Sequence, residues 1–260
     1  MYTKDDLKNA IKEMGIKSND TLFIHSSMKA IGEVEGGADT VLDVFMEYLS
    51  EGLLILPTHT WAYMSEEHNL FDPEEEPACV GILPNLFMKR KNVVRSLNPT
   101  HSVAAYGADS IEYIKGEDEQ STPCAAGGCY DRLRERNAKI LLLGVDHSRN
   151  TYIHCVEELL EVPERLTEEP VLFYIKMPDG SIKECYMHRH YNRVSEHLSE
   201  NYPKLEQAFY ENKVTKKVTF GDATCILCDA NGIFEVTKKV LSHQINCIVE
   251  LEKIPKAWWE

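Results

Sequence analysis

The chain has 260 residues, 42 of them acidic and 28 basic, for a formal charge of −14. That balance argues against nucleic acid, whose phosphates call for a basic surface, and against an anionic membrane; it serves first to keep the protein in solution, and it permits a cationic small-molecule partner. No apolar run reaches the roughly 18 residues that span a bilayer, the start of the chain lacks a signal core, and eight scattered cysteines in so long a chain read as reduced thiols of a cytoplasmic protein.

Thr3 and Asp6 mark a helix start, Leu7, Ala10, Ile11 and Met14 repeat at helical spacing, and Gly15 ends the helix. Thr21 to His25 is a short apolar strand. Gly36-Gly37 opens a second helix carrying Val41, Leu42, Phe45, Met46 and Leu49 on one side, and Leu53 to Leu56 is a strand stopped by Pro57. Ser65 to Pro77 is acidic and polar, and reads as a long loop. Ile82 to Met88 is helical, Ser102 to Tyr106 a strand, and Thr122 to Gly128 a glycine-rich turn. Lys139 to Gly144 is the clearest buried strand, with a helix over Thr151 to Leu160 behind it. Val171 to Ile175 and Ser181 to Met187 flank Pro178-Asp179-Gly180, a hairpin signal that implies antiparallel pairing in the sheet. A helical stretch over Arg193 to Tyr210, strands at Val214 to Phe220 and Thr224 to Cys228, and a helix over Ile233 to Leu241 complete the chain. Alternating strands and helices point to an α/β or α+β layered domain whose sheet is at least partly antiparallel.

Two segments stand where α/β folds gather chemistry, at the ends of strands. His25-Ser26-Ser27-Met28-Lys29-Ala30-Ile31-Gly32 follows the first strand, and the helix end beyond it would stabilise an anion such as a pyrophosphate. After the fourth apolar strand come Asp146, Asn150, Thr151, His154, Glu157 and Glu158. Helical spacing puts His154 near Thr151 and Glu158, with Glu157 within a turn, and an imidazole beside a carboxylate suits a general base at neutral pH. Asn98 to Gly107 offers small residues against which a ligand can lie. Other patterns carry less. Cys225 and Cys228 have metal-like spacing, but in a strand they face opposite sides. His188 and His190 would share a strand face without a third ligand. Cys155 points about 100° away from His154 on a helix, so the two do not form a nucleophile–base pair.

Together, three stretches resemble the aminoglycoside 3-N-acetyltransferase (antibiotic N-acetyltransferase) family: LFIHSSMKAIGEVEGGADTVLDVFMEYLSEGLLILPTHT from Leu22, RSLNPTHSVAAYG from Arg95, and KILLLGVDHSRNTYIHCVEE from Lys139. The resemblance implies an α/β fold, one three-layer α/β/α domain over residues 1–260 around a mixed, partly antiparallel sheet, and a cytoplasmic transferase of antibiotic resistance that moves an acetyl group from acetyl-coenzyme A to a primary amine of an aminoglycoside, the 3-amino group, with no metal. It implies coenzyme contacts from His25, Ser26, Ser27, Gly32, His101, Ser102 and Val103. Lys29 is added as a cation placed to meet a phosphate. It also implies His154 as the base, with Asn150, Thr151 and Glu157 around it, in direct transfer between the two bound substrates. Glu157 then either orients His154 or binds an acceptor ammonium. Thr151 is the expected oxyanion donor, and Asp146, Asn150 and Glu158 the expected acceptor contacts. A homodimer is compatible with the reading. Acetylation of another amine, or coenzyme binding without turnover, are the alternatives. The excess negative charge is expected to gather at the acceptor mouth, through Asp146, Glu157, Glu158 and the loop residues Glu66, Glu67, Glu74, Glu75 and Glu76, leaving a neutral or basic mouth for the coenzyme.

Overall fold

Alternation within three short apolar strands sets the architecture. A computed structural model describes residues 1–195 and 197–260. Its strands are β1 (Thr21–Ser26), β2 (Leu53–Pro57), β3 (Leu70–Phe71), β4 (Val94–Arg95), β5 (Val103–Gly107), β6 (Lys139–Leu143), β7 (Val171–Lys176), β8 (Ile182–Met187), β9 (Thr215–Phe220) and β10 (Ala223–Asp229). Seven of them form one sheet in the order β4-β5-β2-β1-β6-β10-β9. The central β2-β1-β6 trio is parallel, while β4, β5, β9 and β10 add antiparallel pairs at both flanks.

Side chains alternate across a strand, so each central strand feeds two cores. Phe23, Leu53, Ile55, Ile140 and Leu142 face the helices Cys129–Glu135, Tyr152–Leu159 and Ala230–Leu241. Leu22, Ile24, Leu54, Leu56, Leu141 and Leu143 face the helices Lys4–Glu13, Gly37–Tyr48 and Ile82–Phe87. Helices therefore cover both faces of a mixed sheet, as the sequence predicted. Cys225 and Cys228 join different cores on opposite faces of β10. Gly144, at the end of β6, has φ +68°, and a Cβ there would collide with Ala30. The close approach brings the turn after β1 against the end of β6.

Three expectations change. The hairpin forms, but β7 and β8 join β3 in a separate three-stranded sheet with its own core of Met64, Phe71, Phe173, Ile175, Cys185 and Met187. The antiparallel part of the main sheet comes from other strands. The loop over Ser65 to Pro77 contains β3, because Phe71 is drawn into that small core. The helix expected over Arg193 to Tyr210 is a 3₁₀ helix over Leu198–Leu205 followed by an α-helix over Glu206–Glu211. Pro203 lies inside the first of these, and its missing N–H breaks an i→i−4 ladder. Among the described residues no helix is long and apolar enough to cross a membrane.

Candidate active site

The parallel trio ends at a common edge, and a cavity of about 560 Å³ opens there. His25 and Ser26 close β1 and Pro57 closes β2. Val145 and Ser148 follow β6, and Thr151 and His154 stand at the start of the next helix; all of these line the cavity. His101, just before β5, reaches the same edge because β5 runs antiparallel to β2.

His154 is the end of a buried relay. Its Nδ1 lies 2.7 Å from the Tyr202 hydroxyl, which donates to Glu157 Oε2 at 2.6 Å. Arg165 Nε donates to Glu157 Oε1 at 2.7 Å, with the two side chains 3% and 0% exposed. Burial raises the Glu157 carboxyl above its usual pKa, and Arg165 and Tyr202 pull it back. With a guanidinium in contact, the carboxylate is the acceptor. Tyr202 has one proton and gives it to Glu157, so His154 donates Nδ1–H to Tyr202 and keeps the Nε2 lone pair. Burial holds His154 well below the ordinary imidazole range, with His190, His59 and Arg165 adding to the effect. The resting imidazole is neutral. Among the described residues Glu157 makes no hydrogen bond to His154 and does not line the cavity; it reaches the imidazole through Tyr202.

Glu158 points elsewhere. It accepts from the Thr122 hydroxyl at 2.6 Å and from the Cys124 N–H at 3.1 Å, and pairs with His190 Nε2 at 2.8 Å. His190 stacks on His154, with ring centroids 4.0 Å apart and planes 12° from parallel. Asn150 is buried beside His147, and its Oδ1 has no partner among the described residues. The Thr151 N–H donates to His25 Nε2 at 3.3 Å, and burial lowers the His25 pKa to about 3.

Several expected residues have other duties. Ser102 Oγ donates to the Thr58 carbonyl at 2.8 Å and accepts from Arg95 Nε at 3.1 Å. Val103 is buried in the core cluster on one face of the main sheet. Gly32, at φ +85°, leaves room for the Asp222 carboxylate. The Ser27 N–H donates to Leu143 O at 2.9 Å, and Lys29 is exposed outside the cavity. Asp146 is exposed and caps its own turn through the Ser148 N–H at 2.9 Å. The acidic acceptor mouth does not form as expected. Among the described lining residues Glu200 is the single carboxylate, against Arg149 and Arg189. Glu66, Glu67, Glu74 and Glu75 lie outside the cavity, and Glu76 pairs with His68.

Sequence reasoning missed Tyr202, Arg165, His59 and His190 as site residues. His59 follows β2 much as His25 ends β1, a local signal that was available. It lies 2.6 Å from the Tyr130 hydroxyl through Nε2 and packs on His101 with ring centroids 4.6 Å apart. Tyr202 and Arg165 reach Glu157 from other segments and carry no spacing signal.

Known proteins share this architecture. Solved structures with similar folds include aminoglycoside acetyltransferase AAC(3)-IVa, crystallised as a mutant in complex with a gentamicin. It has TM-score 0.82 and 23% identity, with 100% of this chain and 94% of that chain covered. AAC-IIIb in a binary complex with CoASH has TM-score 0.81 and 19% identity, covering 94% and 97%. Among curated relatives, aminoglycoside N(3)-acetyltransferase IV from Salmonella sp is 28% identical over 165 residues, 62% of this chain and 61% of the relative. The chain's match thus spans about three-fifths of that enzyme. The SPbeta prophage-derived aminoglycoside N(3')-acetyltransferase-like protein YokD of Bacillus subtilis (strain 168) is 24% identical over 265 residues, 91% of each chain. The family model for aminoglycoside 3-N-acetyltransferase matches residues 23–242, from β1 through the last long helix that packs on the main sheet. With that match covering most of the sequence, the chain belongs to the aminoglycoside 3-N-acetyltransferase family.

Proposed function

We propose that the protein transfers the acetyl group of acetyl-coenzyme A to a primary amine of an aminoglycoside, at the 3-amino position, with His154 as general base. The observation that carries this reading is the His154–Tyr202–Glu157–Arg165 relay at the cavity wall. A neutral imidazole with its Nε2 lone pair free takes the proton of the attacking amine. The imidazolium that forms is matched by the Glu157 charge, passed on through the Tyr202 hydroxyl. The bound coenzyme supplies the activated acyl group. Thr151, whose N–H is committed to His25, offers its hydroxyl to the oxyanion that develops at the acyl carbon. Positioned base catalysis contributes about 10²–10⁴-fold, and holding the two substrates together lowers the barrier by about 7–11 kcal/mol in well-oriented cases.

The cavity fits such a donor's reactive end: about 560 Å³, with Ser26 and Ser148 among its polar groups. Binding of CoASH by AAC-IIIb and of a gentamicin by the AAC(3)-IVa mutant supports the two substrate classes. The sparse carboxylates of the described walls favour a second reading, acetylation of an amine with fewer positive charges, such as an amino sugar. Thiol release from acetyl-coenzyme A, measured against kanamycin- and gentamicin-type aminoglycosides and a panel of simpler amines, decides between them. Product mapping then fixes the position. His154→Ala is expected to lower kcat by about 10²–10⁴-fold with coenzyme affinity retained; undiminished turnover in that variant removes His154 from the role.

A further inference from the structure

Two sequence features lie outside the His154–Tyr202–Glu157–Arg165 relay: the cysteine-bearing turn Thr122 to Gly128 and the His188-Arg189-His190 segment. The fold brings them together at Glu158. We propose that Cys124, Glu158 and His190 form a binding site for one soft divalent cation, Zn²⁺ by its ligand chemistry.

The thiol sulfur, a carboxylate oxygen and an imidazole nitrogen of these residues all lie within 4.8 Å of one another. Zinc bonds of about 2.0–2.3 Å set neighbouring donors about 3–4 Å apart, so a small opening of the Glu158–His190 contact admits the ion. One sulfur, one nitrogen and one oxygen donor select zinc over magnesium or calcium, which take oxygen ligands. The site is supported from behind: Thr122 donates to Glu158 Oε2 at 2.6 Å and the Cys124 N–H donates to Oε1 at 3.1 Å, fixing the carboxylate. Charge also closes. Cys124 is 1% exposed, and the Glu158 and His190 side chains are 7% and 13% exposed. In so dry a place a thiolate and a carboxylate cancel the two positive charges of the ion. The ion takes the sulfur as a thiolate, so its binding releases the thiol proton. His188 is no part of the site, since its Nδ1 lies 2.7 Å from the Thr167 carbonyl. Three protein donors leave a fourth position for water or a ligand, and His190 stands on the cavity wall.

Co²⁺ is the probe. Full-length protein, stripped with a chelator, is expected to take up one Co²⁺ per chain with a sulfur-to-cobalt charge-transfer band and release of the thiol proton, and Zn²⁺ to displace the Co²⁺ with loss of the band. Cys124→Ser abolishes the band. Cys225→Ser, which alters another buried thiol, keeps it. His190→Gln and Glu158→Gln weaken Zn²⁺ binding by at least about tenfold in calorimetry. Far-UV circular dichroism confirms that each variant is folded; if Cys124→Ser is not, the His190→Gln titration carries the decision, since His190 is the more exposed ligand. A stripped protein that takes up no Co²⁺, a band that survives Cys124→Ser, or Zn²⁺ affinity unchanged by His190→Gln each overturns the site.

Discussion

Glu157 and Glu158 are chain neighbours on one helix, and they serve opposite sides of the same pair of imidazoles. Glu157 turns into the core, where Arg165 neutralises it and Tyr202 carries its influence to His154. Glu158 turns toward the Thr122–Gly128 turn, where neutral donors hold it and His190 pairs with it. The two rings then stack at 4.0 Å. The helix rotation of about 100° between adjacent residues separates the two environments. A carboxylate next to a fixed guanidinium stays charged and immobile, which suits it to orient an imidazole through Tyr202. A carboxylate held by neutral donors and an imidazole keeps a charge that another cation can claim.

The sharpest break in this comparison is the pair Glu157→Gln and Glu158→Gln. The first leaves Arg165 buried without its counter-charge, and we expect a loss of about 3–5 kcal/mol. The second loses hydrogen bonds to a charged acceptor, and about 1–3 kcal/mol is expected. Urea unfolding midpoints measure both. Equal losses would mean that Arg165 is not what distinguishes the two sites.

Tyr202→Phe cuts the first relay at its middle. Tyr202 is fully buried, so the variant keeps its packing while Glu157 Oε2 and His154 Nδ1 each lose a partner. About 1.5–3 kcal/mol of stability goes with a hydrogen bond to a charged group. The rate effect is the diagnostic. Without a fixed tautomer, kcat is expected to fall about tenfold or more, with the coenzyme dissociation constant unchanged. An unaltered kcat in a folded variant would make the hydroxyl a structural bond only.

Acid probes the buried imidazoles together. The folded pKa of His25, about 3, lies below its unfolded value near 6.5, so below pH 6.5 the unfolded chain takes up a proton that the folded chain refuses. Stability from this group is present above pH 6.5 and falls as pH drops toward 3, by roughly 1.4 kcal/mol per unit, or about 2 kcal/mol at pH 5. His59, His101 and His154 shift in the same direction, chiefly through burial. Unfolding midpoints at pH 7 and pH 5 test this, and His25→Gln is expected to flatten the slope.

Local chemistry was legible in the sequence, and long-range chemistry was not. The central strands were clear because β1, β2 and β6 are apolar on both faces, and only a sheet covered on both sides needs that. His25, Thr151 and His154 were found because strand ends and helix spacing place them, and the family resemblance reinforced the choice. Arg165 sits in a charged, proline-containing stretch that reads as surface, yet it is 3% exposed. Tyr202 is separated from His154 by 48 positions, and it reaches the imidazole from within the 3₁₀ helix Leu198–Leu205. Pro203 was visible all along as a helix breaker. The net charge gave no location, because isolated carboxylates on a surface keep a protein soluble wherever they lie.

Asp146 is the smallest test and bears on that last point. It is exposed, and its carboxylate accepts from the backbone and side chain of Ser148 at 2.9 and 2.5 Å, as a cap does. Asp146→Asn retains an oxygen acceptor for the Ser148 N–H, so stability is expected to change by no more than about 0.5 kcal/mol. If Asp146 only caps its turn, the KM for the amine acceptor stays within about twofold, since an exposed charge is well screened by salt. An acceptor that carries several ammonium groups and reaches over the rim would report otherwise. Its KM would rise in the variant at low salt and converge with the parent's as salt is added. A salt-independent KM, equal in both proteins, leaves the negative surface charge as a matter of solubility. Acceptor recognition then falls to the imidazole-lined cavity itself.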